Sequence, residues 1–468
     1  MTVLDHGSRT PSVMTLRFSA DRAGRAPLTW GQIAIWNVFE QLPATDYSLN
    51  ILAHWELPSG LSVPEVLTAL RRTVERHDSL RTRFPRTAQG PCQEVCADGD
   101  LPVEVHEVTP DELTWTAETV GEGLRQVPFD HAADLPVRIA ILTCGGEPRT
   151  LVVGANHMAL DGWSLGIVKG DFELLLAGDA LGPLGLQPLD RVAFEESEPA
   201  LGREAKALQW WCRSVNNLPN RLLASVREVG ERQSFTWAQQ ESAAIVLAAR
   251  SVSLRTGVAA GQVVLAAAAL LLAAYTDARH VALRTIVATR FQTGTRDLVG
   301  AFNQNALFYL EIVPESFDEF VRRAAGAALR GYRNSEYHPD KLESVVAEIL
   351  AERGIPRAGY CFFNDVRFAL GDKITGVDPA GAAAAAAGIA DALPKTVITS
   401  VSRDNDPFVA NFFLYLFELS DQALLQLGIE DGFFGPREPA DYLRDLESLL
   451  TRAALGELSV PQLLAHYR

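Results

Sequence analysis

The sequence predicts an α/β protein of two lobes, on three observations. The chain has 468 residues, more than one ordinary hydrophobic core serves. Helix-period and strand-period patterning alternate in both halves, as layered α/β folds require. A Gly-, Pro- and Glu-rich stretch at 178–200 separates the halves with the composition of a boundary. The expected organisation is a flexible N-terminal tail at 1–26, a first lobe at 27–180, a linker at 181–200 and a second lobe at 201–468.

The elements follow in order. Leu28 to Phe39 carries aromatic and aliphatic residues at helical spacing. Ser62-Val63-Pro64-Glu65 reads as a capping box with Pro in the first turn. Val63, Leu67, Leu70 and Val74 then follow on one helix face. Arg76-His77-Asp78 ends that helix, and Leu80 to Phe84 reads as a strand. Val137 to Leu142 and Thr150 to Val153 read as strands joined by a turn at Gly145 and Gly146. Leu165, Val168, Phe172 and Leu175 share a helix face that Ser164 can cap and Gly178 can stop. In the second half, helices are expected around 241–256, up to Tyr275, near 341–352 and at 438–455. Strands are expected at 281–288 and near 306–313, 359–368 and 410–419. The six alanines between Gly381 and Gly388 read as a surface loop or short helix.

Composition excludes several classes. Net charge is −16, pI is near 5.1 and no Lys/Arg block stands out, so no nucleic-acid partner is expected. No basic region followed by an apolar core opens the chain, so no signal peptide is read. The most apolar run, Val263 to Tyr275, is too short to span a bilayer. A cytoplasmic protein without a membrane partner is the expectation. Five cysteines (Cys92, Cys96, Cys144, Cys212 and Cys361) include no CxxC pair and read as free thiols in a reducing compartment. Cys92 and Cys96 lack a matching ligand pair, so no metal is expected.

The stretch with most chemistry is Asn156-His157-Met158-Ala159-Leu160-Asp161-Gly162, between an apolar run and an amphipathic helix. It places an imidazole on a strand-to-helix loop, where proton transfer is often located. His157 is then a base or orienting group and Asp161 a structural anion. The alternative is a core histidine satisfied by hydrogen bonds. A His–Asp metal pair is a third reading, without a further ligand in sequence reach. Gly162-Trp163-Ser164-Leu165-Gly166 also matches the nucleophile elbow GxSxG. A strand ending near Val153 leaves too long a gap for an elbow, so Ser164 is read as a helix N-cap. Arg290 is either a surface cation or the partner of a buried carboxylate. His77 reads as part of a polar helix end. Trp210, Trp211, Phe302, Phe308 and Tyr309 read as pocket lining or core.

Taken together, these segments resemble the condensation-domain family of nonribosomal peptide synthetases, within the chloramphenicol acetyltransferase-like superfamily. Pro27-Leu28-Thr29-Trp30-Gly31-Gln32 with Trp36 resembles the family's first motif, and Arg76 to Phe84 resembles RHExLRTxF. Pro128-Phe129-Asp130 with Leu135-Pro136-Val137-Arg138 resembles the segment before the active site. Asn156 through Gly162 resembles HHxxxDG, and Arg290 stands where the family has an arginine. Val299-Gly300-Ala301-Phe302 with Gln304-Asn305 resembles GxFxNT, and Phe362-Phe363-Asn364-Asp365 resembles the FNY-type segment. Matches run in the family's order from about residue 27 onward, which is more specific than any single motif.

The resemblance implies two chloramphenicol-acetyltransferase-like lobes in a V-shaped pseudo-dimer with a central tunnel. It implies that His157 acts on the nucleophile as base or positioning acceptor, and that Asp161 pairs with Arg290 to hold the loop. Backbone N–H groups around Gly162 then help hold an oxyanion. Trp163, Ser164, Phe302, Gln304, Asn305 and Asn364 become substrate-tunnel candidates. No bound cofactor is implied; the donor rides on the phosphopantetheine of an acyl or peptidyl carrier protein. The acceptor is an amine, either a small molecule or carrier-bound. Asn156 replaces the first His, Gln304-Asn305 replaces Asn-Thr, and Thr289 replaces a Gly. The expected function is a free-standing condensation enzyme of secondary metabolism that forms amides and meets its carrier in trans. Its alternatives are an ester-forming variant with an alcohol acceptor, a catalytically silent recruitment module, and a serine hydrolase using Ser164.

Overall fold

The computed structural model describes residues 10–223, 234–356, 359–367, 377–401, 410–456 and 458–468. It comprises two compact units, Met1–Ser197 with Arg290–Asn303, and Glu198–Thr289 with Gln304–Arg468.

Among the described residues the first unit has nine strands: β1 (Ser12–Ser19), β2 (Gly24–Pro27), β3 (Asn50–Glu56), β4 (Thr82–Arg83), β5 (Arg86–Thr87), β6 (Gly90–Val95), β7 (Asp98–Glu107), β8 (Val137–Cys144) and β9 (Glu147–Asn156). Its five-stranded sheet runs β1-β7-β8-β9-β3, with only β7 and β8 parallel. A smaller sheet runs β2-β6-β4, with β5 beside β6. Five helices accompany them: α1 (Trp30–Phe39), α2 (Val63–Arg76), α3 (Leu113–Gln126), α4 (Gly162–Leu176) and α5 (Pro188–Glu195).

Strand alternation explains the two central apolar runs. Ile139, Ile141, Leu151, Val153 and Ala155 face one way, into a cluster with Val66, Leu70 and Val74 of α2 and Val168 and Phe172 of α4. Ala140, Leu142 and Val152 face the other way, against Ala117 and Leu124 of α3. A strand buried on both faces must be apolar at every position. Each large side chain so buried contributes about 1.5–3 kcal/mol, enough to fix the register that ends β9 at Asn156.

Three expectations for this unit are corrected. Residues 12–26 are not a flexible tail: β1 pairs with β7, and Leu16 and Phe18 enter the core. Residues 1–9 lie outside the described part. Residues 181–200 are not a simple linker, because they contain α5, which is tied down by polar contacts. Arg191 pairs with Glu195 in a buried setting, and Glu195 accepts from the Trp30 backbone N–H at 2.8 Å. Leu80 to Phe84 is only briefly extended: a 3-10 turn covers Asp78–Arg81, where Arg81 pairs with Asp78, before the two residues of β4.

The second unit has strands β10 (Phe235–Ser242), β11 (His280–Ala288), β12 (Asn303–Glu311), β13 (Cys361–Asp365), β14 (Val397–Val401), β15 (Phe412–Leu419) and β16 (Ala423–Glu430). They order as β12-β11-β13-β15-β16-β10-β14, with β11, β13 and β15 parallel. Its helices include α6 (Glu198–Asn216), α7 (Ala243–Thr256), α8 (Ala260–Thr276), α9 (Phe317–Arg333), α10 (Pro339–Glu352) and α11 (Pro379–Ala387), the last formed by the alanine run. α8 is apolar all round and buried from Val263 to Thr276, as a helix at the centre of a core must be. Its alanines let α7, α9 and the helices Pro439–Leu455 and Val460–Tyr467 approach it. Among the described residues no single helix is long and apolar enough to cross a membrane; α7 and α8 pass that test only together, bent by 103°.

Candidate functional site

Strand β9 delivers Asn156, and α4 begins six residues later at Gly162. The intervening turn closes on itself: Ala159 N–H donates to the Asn156 carbonyl at 3.0 Å, and Met158 N–H donates to Asn156 Oδ1 at 3.0 Å. Met158, Ala159 and Leu160 are fully buried, whereas His157 is half-buried.

His157 Nδ1 lies 2.8 Å from the Leu160 carbonyl oxygen. A carbonyl only accepts, so Nδ1 carries a proton, and in the neutral imidazole Nε2 presents the lone pair. The ring is thereby held in the tautomer suited to accepting a proton or a hydrogen bond.

Asp161 caps α4 by accepting from Ser164 N–H at 2.8 Å. The expected cap at Ser164 is therefore displaced by three residues. Both Asp161 oxygens are further engaged, by Arg290 at 2.8 and 2.9 Å and by Phe302 N–H at 3.1 Å. Burial pushes the Asp161 carboxyl up, but Arg290 and the two backbone N–H donors outweigh it and hold the group below its ordinary value. Arg290 also donates to the carbonyls of Leu298 and Gly300 and to Ser164 Oγ. This settles Arg290 as a buried partner rather than a surface cation.

Ser164 is fully buried. Its hydroxyl donates to Gly300 O at 2.7 Å and accepts from Gly300 N–H at 2.9 Å and from Arg290. β9 does not run directly into it, and every hydrogen-bonding role of the hydroxyl is taken. It is a brace, not an elbow nucleophile, and it does not line a tunnel. Phe302 is corrected likewise: it is 1% exposed, and its ring lies 5.1 Å from the Arg290 guanidinium carbon. Trp163 is partly exposed, with its indole N–H on the Arg296 carbonyl at 3.1 Å.

Gln304 and Asn305 lie on β12 and Asn364 on β13, in the second unit. Gln304 is buried, and its amide donates to the Tyr337 carbonyl at 3.3 Å. Asn305 and Asn364 are half-buried. Among the described residues no group of His, Cys, Asp and Glu side chains could hold a metal.

Two supports escaped sequence reading. Ser79 Oγ donates to the Val299 carbonyl at 2.7 Å, fixing the 298–302 segment to the end of α2. Gly31 of α1 lies against the same segment: a Cβ there would overlap the Ala301 carbonyl and lie 2.8 Å from Phe302 Cα. The signal for Gly31 was its place inside the first motif.

The Condensation domain family model matches residues 22–348. The chain belongs to the condensation-domain family. Such domains transfer acyl groups to form amide bonds in nonribosomal peptide biosynthesis, taking substrates from the phosphopantetheine of carrier proteins. One relative is the AMB antimetabolite synthetase AmbB of Pseudomonas aeruginosa, 27% identical over 339 residues, 71% of this chain and 27% of the relative. This condensation domain therefore spans about a quarter of that relative's length. Among solved structures, the SgcC5 protein from Streptomyces globisporus has a TM-score of 0.69 at 17% identity, covering 92% of this chain and 98% of that one. The first condensation domain of the calcium-dependent antibiotic synthetase has a TM-score of 0.67 at 19% identity, covering 93% and 98%. These likenesses establish the chloramphenicol-acetyltransferase-like fold.

Proposed function

We propose that this chain transfers an acyl or aminoacyl group from a carrier-protein thioester to an amine, with His157 as the group that receives or positions the amine proton. The observation that carries the reading is the His157 tautomer: Nδ1–H is spent on Leu160, so the Nε2 lone pair is presented from the half-buried member of a buried loop.

The chemistry suits an imidazole. The amine nitrogen attacks the thioester carbonyl, a C–N bond forms, the C–S bond breaks, and the amine proton ends on the released thiol. Nε2 lowers the cost of that proton transfer. Holding the two substrates together contributes through proximity. The backbone N–H groups around Gly162, at the start of α4, are the donors proposed for the oxyanion. Asp161 and Arg290 position the loop without touching the reacting atoms, and Asn156 fixes its start. Trp163, Asn305 and Asn364 remain the substrate-facing candidates, being at least partly exposed. We take the carrier to be a separate chain.

One observation favours an alcohol acceptor as the second reading. The SgcC5 structure is a complex with (R)-(-)-1-(2-naphthyl)-1,2-ethanediol, a diol, and with sucrose. The same geometry serves ester formation, because an alcohol also needs its proton removed as it attacks.

The test is a mass-spectrometric transfer assay on the wild type and His157→Ala. Acyl thioesters are offered on pantetheine and on a separately expressed carrier protein, with panels of amines and alcohols. Product from the wild type, largely lost in the variant, is the expected result and names the acceptor class. Equal product from both removes His157 from the mechanism. Product from neither, with all donors, turns the reading toward a silent recruitment module.

A further inference from the structure

The first histidine of the family motif is Asn156 here, and the structure supplies a different histidine beside it. His131, in the loop before β8, has its Nδ1 atom 2.9 Å from Asn156 Nδ2. The direction of this contact follows from the other end of the amide. Asn156 Oδ1 accepts from Met158 N–H, which can only donate. The amide nitrogen must therefore face His131, and His131 Nδ1 must accept. His131 is neutral with its proton on Nε2, the opposite tautomer to His157.

We propose that His131 is a positioning residue for the His157 loop, its Nδ1 lone pair orienting the Asn156 amide that holds Met158 and so sets His157. This rests on the acyl-transfer reading for its consequence but not for its geometry.

The surroundings fit an orienting acceptor. The His131 ring lies against Phe39 at 4.4 Å and Trp36 at 5.8 Å between centroids, on α1. Its carbonyl accepts from Phe84 N–H at 2.7 Å. The neighbouring charges are Asp130 and Asp134 of its own loop, while Arg86 beside Trp36 is paired with Glu40. Asn156 is 2% exposed, so an unaccepted amide N–H there has no water to turn to.

Two substitutions separate acceptor from ring. In His131→Asn, Oδ1 stands near the place of Nδ1 and still accepts, but the ring is gone. In His131→Phe the ring stays and the acceptor is gone. The expected result is that H131N keeps most of the wild-type kcat, whereas H131F loses about 10- to 100-fold in kcat with little change in KM. H131F at wild-type turnover, or H131N falling as far as H131F, overturns the proposal. The second readout needs no substrate. Histidine-selective 15N NMR is expected to show the Nε2–H form at His131, the Nδ1–H form at His157, and loss of the single His157 tautomer in H131F but not in H131N. Nδ1 protonated at His131 at neutral pH, or an unchanged His157 tautomer in H131F, also overturns it. Absence of acyl transfer in all three proteins strikes the proposed function instead and leaves the tautomers to judge His131.

Discussion

Arg290 and Asp161 are 129 positions apart in sequence and meet through two parallel contacts of 2.8 and 2.9 Å, both groups buried. The pair joins the start of α4 to the segment after β11, and two backbone N–H groups complete the shell of the carboxylate. Its value is geometric, since desolvating two charges offsets most of their attraction. Breaking it is another matter. Asp161→Asn keeps the shape but turns an N–H toward the guanidinium and leaves the cation uncompensated. The expected loss is about 3–5 kcal/mol in urea unfolding. Arg290→Lys keeps the charge but not the fork, so it is expected to recover little. Wild-type stability in both variants is the result that discards this account.

Ser164 offers a direct contrast between two chemistries. A serine hydrolase needs a hydroxyl that is reachable and backed by a base; this one is buried and braced between Gly300 and Arg290. A fluorophosphonate probe is expected to leave Ser164 unlabelled. Ser164→Ala is expected to cost about 1–3 kcal/mol, the range for stranding buried polar partners. Covalent labelling at Ser164, mapped by peptide mass spectrometry, would reverse this assignment.

How much was legible follows from locality. The loop at 156–162 could be read because its motif is contiguous, and β8 and β9 because burial on both faces makes them apolar runs. Nothing near Arg290 in sequence names its partner; only the family resemblance pairs it with Asp161, as the structure does. β1 reads as part of a tail because only Leu16 and Phe18 of its eight residues are buried, too few to print a period of two. β10 escaped because Thr236, Gln239 and Gln240 interrupt its apolar residues. Gln240 is nevertheless buried. His131 escaped for a third reason: its partner Asn156 lies 25 positions away, and only the amide geometry reveals the link.

Gly31 tests the support behind the site. A methyl group there meets the Ala301 backbone rather than the end of a flexible side chain, so the 300–302 segment must move. That segment donates Phe302 N–H to Asp161 and Gly300 N–H to Ser164 Oγ, and its Gly300 carbonyl accepts from the Ser164 hydroxyl. Gly31→Ala is expected to destabilise by about 1–3 kcal/mol through overpacking and to reduce transfer without touching His157. Gly123→Ala, where a Cβ meets open space, is the control on a helix. Equal melting temperatures for the two variants would dismiss the support role.

Acid sensitivity should come in two windows. Burial lowers the pKa of His131, more than Asp130 and Asp134 raise it, and burial likewise lowers His338. A histidine depressed in the folded state binds its proton first in the unfolded chain. Its contribution is therefore whole above the unfolded value of about 6.5 and declines as pH falls through the folded one. Asp161, also depressed, contributes above the ordinary carboxylate value of about 3.9, and that part is lost only at lower pH. Thermal melts from pH 8 downward are expected to show a first decline beginning near pH 6.5 and a steeper one below pH 4. His131→Asn should flatten the first decline without abolishing it, because His338 remains, and should leave the second in place. A first decline of unchanged slope in that variant would mean that His131 takes up its proton equally well in the folded and unfolded chain, and that its ring is not held neutral against Asn156.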